Sequence, residues 1–83
     1  SFSAIRYEDW KLIYFHSNQQ FELYNLSQDI SEQNNLFFEQ KIRAKQLVTI
    51  LNTHLRKVDA QMPYYKNTQE QIPFPLTAFE KQF

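Results

Sequence analysis

The sequence predicts an α+β fold: a small antiparallel sheet of three to four strands with one long helix packed on one face. Three observations carry this. Apolar and polar positions alternate in three short runs near the start, which is the period of a strand. Only short polar gaps part these runs, so successive strands pair antiparallel. Further on, Ala44, Leu47, Val48, Leu51, Leu55 and Val58 fall at the spacing of one helix face.

The first strand is short, Ser3 to Tyr7, and the gap Glu8-Asp9 suits a hairpin. The second, Trp10 to His16, is the strongest. It sets Trp10, Leu12, Tyr14 and His16 on one face and Lys11, Ile13 and Phe15 on the other. Ser17-Asn18-Gln19-Gln20 is the next turn, with Asn18 the best candidate for a left-handed conformation. The third strand, Phe21 to Leu26, opposes Phe21 and Leu23 to Tyr24 and Leu26. Ser27 to Asn35 is polar, and its Asp, Ser and Asn side chains can bond locally to the backbone. The helix is expected over about residues 38–58.

From Asp59 the pattern dissolves. Pro63, Pro73 and Pro75 deny the tail a continuing helix. Tyr64, Tyr65, Phe74, Phe79 and Phe83 imply that residues 63–83 lie against the domain formed by residues 1–62. Both faces of the second strand are apolar, yet one helix covers only one face. The other face asks for the tail, a second copy, or a domain beyond this chain. A fourth strand would come from residues ahead of Ser1 in a longer parent.

Eighty-three residues make one domain at most, and such a chain buries only a little over ~60% of its unfolded surface. Nine basic and nine acidic side chains cancel, so there is no electrostatic footprint for nucleic acid or an anionic membrane. No apolar run approaches the ~20 residues of a membrane helix, and no basic-then-apolar leader is visible. Cysteine is absent, which excludes disulfides and a cysteine nucleophile. Glycine is also absent, although it usually supplies the left-handed positions of tight turns. Aromatics reach 17%, and their large buried areas offset a small core.

Two dense motifs follow each other. The first runs Ala4-Ile5-Arg6-Tyr7-Glu8-Asp9-Trp10-Lys11-Leu12-Ile13-Tyr14-Phe15. The second runs Phe21-Glu22-Leu23-Tyr24-Asn25-Leu26, then Ser27-Gln28, then Asp29-Ile30-Ser31-Glu32-Gln33-Asn34-Asn35-Leu36. Together they resemble the C-terminal subdomain of the sulfatase family, above all its bacterial arylsulfatase-like branch. There, strands reading roughly A-I-R, W/Y-K-L-I and E-L-Y-(D/N)-L lead into a turn D-x-x-E-x-x-N-L and then a helix. The resemblance covers about the first two-thirds of the chain. Two departures touch turns: Glu8 stands where a glycine is common, and Ile30 or Ser31 where proline or glycine is usual.

The resemblance implies a non-catalytic piece of a sulfuric ester hydrolase that braces the catalytic domain and can line the substrate cleft. The family's formylglycine arises from Cys or Ser two positions before a proline, with Arg two positions further on. Here Gln61, Gln71 and Pro73 hold the positions two before the three prolines. The family's calcium-holding aspartates are missing too. Calcium and formylglycine are therefore expected only in a catalytic domain outside this chain, and no cofactor within it. The expected partner is that catalytic domain, with self-association of the isolated chain as a second expectation. The parent would be periplasmic or secreted. A free-standing module with an aromatic face for protein or carbohydrate is the alternative.

Five residues are candidates for a substrate rim or a domain contact. His16 ends a strand and opens a loop, which suits either a cleft rim or an ordinary loop position. Arg6 and Lys11 lie among apolar strand residues. Their cations suit a sulfate or an acidic domain surface, and equally suit solvated heads on buried stems. Trp10 and Tyr14, with Tyr24, could form a sugar-stacking platform or plain packing. His54 falls beside the apolar helix face as a packing or boundary histidine. Glu8, Asp9, Glu22, Asp29 and Glu32 fall in turns or at strand surfaces, as solvated carboxylates do.

Overall fold

The computed structural model describes residues 1–58, 62 and 70–83. Its elements are β1 (Phe2–Tyr7), β2 (Trp10–Phe15), β3 (Gln20–Asn25), α1 (Lys41–Lys57) and α2 (Pro75–Gln82). The three strands form one antiparallel sheet in the order β1-β2-β3. The fold is α+β, with the long helix laid across one sheet face.

The register sorts the side chains into two sets. Ile5, Leu12 and Leu23 lie side by side, as do Ser3, Tyr14 and Phe21. This face is closed by Ala44, Leu47, Val48 and Leu51 of α1, all buried in one core with Leu12, Tyr14, Phe21 and Leu23. The other face carries Phe2 beside Phe15, Ala4 beside Ile13, and Arg6 beside Lys11. Ile13 and Phe15 are half-buried there, and Phe2 is 62% exposed.

The helix begins at Lys41 rather than near Phe38, and it has no side-chain cap. Residues 37–39 form a turn instead. That turn drops Phe37 into the core, stacked on Phe21 with centroids 4.9 Å apart and edge-on to Phe79. Starting the helix earlier would forfeit this aromatic packing. At the other end Val58 closes the helix by donating to the His54 carbonyl, and its side chain is exposed rather than on the inner face. His54, Arg56 and Lys57 occupy the last turn, where cations suit the helix dipole.

The long helix ends at Lys57, and a separate short helix forms in the described tail. Pro75 is the first residue of α2. There its missing N–H costs nothing and its fixed φ fits the helix. The next free N–H, on Leu76, donates to Oδ1 of Asn52, 3.0 Å away on α1. Asn52 is buried and so acts as a cap delivered from a neighbouring helix.

The described tail also closes the wrong face for the expectation above. Met62, Ile72, Ala78 and Phe79 join the core beneath α1, and the Tyr14 phenol donates to the Pro73 carbonyl at 2.7 Å. The tail thus thickens the covered side. Tyr64 and Tyr65 lie outside the described residues, as does most of the link between the helices.

Among the described residues, three take left-handed backbone without being glycine: Glu8 (φ 55°), Gln19 (φ 55°) and Glu32 (φ 56°). Asn18 does not, because its Oδ1 accepts the Gln20 N–H at 3.0 Å and the next residue makes the reversal. Gln19 is held in place: its N–H donates to the Phe15 carbonyl and its side chain to the His16 carbonyl.

Candidate functional site

Residues of period two separate the five candidates. Trp10, Tyr14 and His16 point to the covered face, and Arg6 and Lys11 to the open one. Along β2, Trp10 and His16 lie about 20 Å apart at the usual strand rise. No single constellation contains all five.

Each candidate on the covered face has a packing role. Tyr14 is fully buried and stacks on Phe21, with centroids 4.8 Å apart. Trp10 is half-buried, with the Arg43 guanidinium 5.2 Å above its ring. His16 is only 8% exposed. Its Nδ1 lies 3.0 Å from the Ser1 hydroxyl and its Nε2 2.8 Å from the Ser3 hydroxyl. A serine hydroxyl can donate or accept, so either neutral tautomer is satisfied. Burial, and then the positive amine of Ser1, holds the imidazole below its ordinary value of 6.5. Ser1 and Ser3 were not legible as partners, because only the register of β1 on β2 brings them there.

On the open face Lys11 is paired. Its Nζ lies 2.9 Å from Oε2 of Glu32, and both side chains are about one-third exposed. Arg6 is less occupied: its Nε donates to the Glu8 carbonyl at 3.2 Å. Among the described residues no carboxylate pairs with it. Ala4, Arg6, Lys11, Leu26 and Glu32 line a shallow cleft. Beside it, the Tyr24 phenol donates to Glu22. Its pKa is pushed up to about 12 by burial first, then by that bond and by the negative charges of Glu22, Glu32 and Asp29.

The turn after β3 is built by its own polar side chains. Asp29 accepts the Gln33 N–H through Oδ1 and the Asn34 N–H through Oδ2, at 2.9 and 2.8 Å. Asn35 accepts from Leu23 N and Phe37 N, at 2.9 and 3.1 Å, and its Nδ2 donates to the Phe21 carbonyl. The Leu36 N–H then donates to the Leu23 carbonyl at 2.8 Å. The outer edge of β3 is thereby clasped by the turn. In the sequence Asn35 stands out as the asparagine of the turn D-x-x-E-x-x-N-L, but nothing local tells that it clasps β3.

His54 is exposed on the last turn of α1. Among the described residues, no three His, Cys, Asp or Glu side chains gather as metal ligands would. No family model matches the chain, and no curated protein matches it.

Proposed function

We propose that this chain is the C-terminal subdomain of a sulfatase-like hydrolase, serving to brace a catalytic domain rather than to cut sulfate esters itself. One observation carries the reading. The residues that make the two motifs distinctive bond to one another and lock a turn onto a sheet. Lys11 of the first motif meets Glu32 of the second, Asp29 caps the turn, and Asn35 and Leu36 clasp β3. Glu8, which stands where the resemblance has a common glycine, takes the left-handed backbone that glycine favours. Such a set supports a rigid bracket. Calcium and formylglycine would belong to the catalytic domain, and Arg6 at the open face would meet an acidic surface there.

Reading the open reading frame upstream of Ser1 tests this. An α/β region carrying Ser/Cys-x-Pro-x-Arg is the expected result. A start codon immediately before Ser1 would overturn it. The purified chain alone should show no turnover of an aryl sulfate, with or without calcium, and turnover that survives purification would also sink the reading.

The half-bare sheet face favours a second reading, a free-standing interaction module. Phe2, Ile13 and Phe15 offer an apolar surface with Arg6 at its border. The same upstream sequence separates the two.

A further inference from the structure

The two outer edges of the sheet have different fates. The phase of the hydrogen bonding follows from two bonds. His16 N donates to the Ser1 carbonyl at 3.1 Å, which makes Ser1 and His16 a bonded pair. Leu26 N donates to the Asp9 carbonyl at 2.7 Å, which does the same on the other side of β2. Bonded and non-bonded pairs alternate in an antiparallel ladder. Ser3, Ile5 and Tyr7 therefore turn their backbone groups toward β2, and Phe2, Ala4 and Arg6 turn theirs outward. On β3 the outward residues include Phe21 and Leu23, whose carbonyls, with the Leu23 N–H, are taken by Asn35 and Leu36. On β1, no described residue takes the outward groups of Phe2, Ala4 or Arg6, and all three residues are exposed.

An exposed edge of this kind is a template for another strand unless something blunts it. Strand β1 has no proline, no lysine and no glycine, and it pairs with β2 residue for residue without a bulge. Its outward residues also complement themselves. An antiparallel pair about a two-fold axis at Ala4 sets Ala4 against Ala4, Phe2 against Arg6, and Arg6 against Phe2. This register alone uses all three outward residues of both chains, as bonded pairs. All these side chains lie on the open face. The small Ala4 leaves the centre clear. At each end an exposed aromatic ring meets a guanidinium to which no described residue offers a carboxylate, which is a favourable cation–π pairing.

From this we infer that the β1 edge pairs with the β1 edge of a second copy, in the two-fold register centred on Ala4. The pairing joins two three-stranded sheets into one of six strands. It is an isologous contact and closes at two chains. It is small, so the association belongs to the weak, concentration-dependent class. It concerns the chain Ser1–Phe83 by itself; in the sulfatase reading a strand ahead of Ser1, or the catalytic domain at Arg6, would compete for the same edge.

Sedimentation equilibrium over a wide concentration range tests it, with circular dichroism and thermal denaturation to follow the monomer fold. The wild-type chain should show a reversible monomer–dimer equilibrium. Ala4→Pro removes an outward N–H and no internal bond, so it should fold as before and sediment as a monomer. Phe2→Arg places like charges opposite Arg6 of the second copy and should weaken association at least ~tenfold. Phe2→Glu places a carboxylate there instead and should restore association in a salt-sensitive form. A wild-type chain that stays monomeric throughout the range overturns the inference. So does association left unchanged by Ala4→Pro and Phe2→Arg. If Ala4→Pro fails to fold, the opposed effects of the two Phe2 variants decide.

Discussion

On one face of the sheet Leu12, Tyr14, Phe21 and Leu23 are shut away beneath both helices. On the other, Ile13 and Phe15 are half-buried and Phe2 stands in solvent. The same three strands make both faces, and both are apolar enough to ask for cover. What separates them is the rest of the chain. Helix α1 has one apolar stripe, and α2 and Phe37 add to the core that this stripe has already begun. A small domain with a scarce supply of apolar side chains concentrates them. One well-packed core gains more than two thin ones, because packing contacts accumulate only where water is wholly excluded.

The comparison can be broken most sharply at Phe21. It stacks between Tyr14 and Phe37 on the covered face. Phe21→Ala should cost about 3–5 kcal/mol in denaturant unfolding. Phe15→Ala, on the open face, should cost far less. Equal losses would mean that the second face is as closed as the first.

The clasp between turn and sheet comes next. Asn35→Ala removes an acceptor shared by Leu23 N and Phe37 N. The expected loss is about 1–2 kcal/mol. Faster amide exchange at Leu23 and Phe37 would mark where the damage lies, and unchanged exchange there would refute the clasp.

His16 brings pH into the covered side. Its folded value lies below 6.5, so the unfolded chain binds the proton more readily. The stability that neutral His16 contributes is present above about pH 6.5. It falls away as the pH drops through that value toward the folded one. Thermal melts from about pH 8 to about pH 5 should fall more steeply for the wild type than for His16→Asn, which does not titrate there. Parallel curves would remove His16 from the account.

The smallest effect sits on the open face. The Lys11–Glu32 pair is partly solvated, so Glu32→Gln should change stability by less than ~1 kcal/mol, and less still in high salt. A larger, salt-insensitive loss would show that this face is better shielded than its exposure indicates.

Much of this architecture was legible because two periodicities are clean. The alternation from Trp10 to His16 placed Leu12 and Tyr14 opposite Ile13 and Phe15, and the spacing from Ala44 to Leu55 placed α1. Contacts between distant segments were not legible. Nothing local announces that Phe37, just ahead of the expected helix, drops into the core, or that Asn52 caps a residue 24 positions further on. Pro75 reads as a stop to a continuing helix, and because the same residue type also begins helices, α2 was not legible. The candidate site suffered in a different way. Trp10, Lys11, Tyr14 and His16 are near in sequence, but the pleat that makes a strand sends neighbours to opposite faces. Chemical type pointed to these residues; only register tells which of them meet.

The left-handed backbone at Glu8, Gln19 and Glu32 has a practical consequence. A chain without glycine makes its reversals with residues that resist them, at a cost on the order of 1 kcal/mol apiece. At Glu32 the strain accompanies an ion pair, and at Gln19 it accompanies bonds to neighbouring carbonyls. The Glu8 side chain has only a loose pairing with Arg43, at 3.8 Å, and the bond that the Glu8 carbonyl accepts from Arg6 needs no side chain there. That makes the first hairpin the place where an engineer could relax the molecule with a single exchange to glycine, leaving every strand, helix and aromatic contact as it stands.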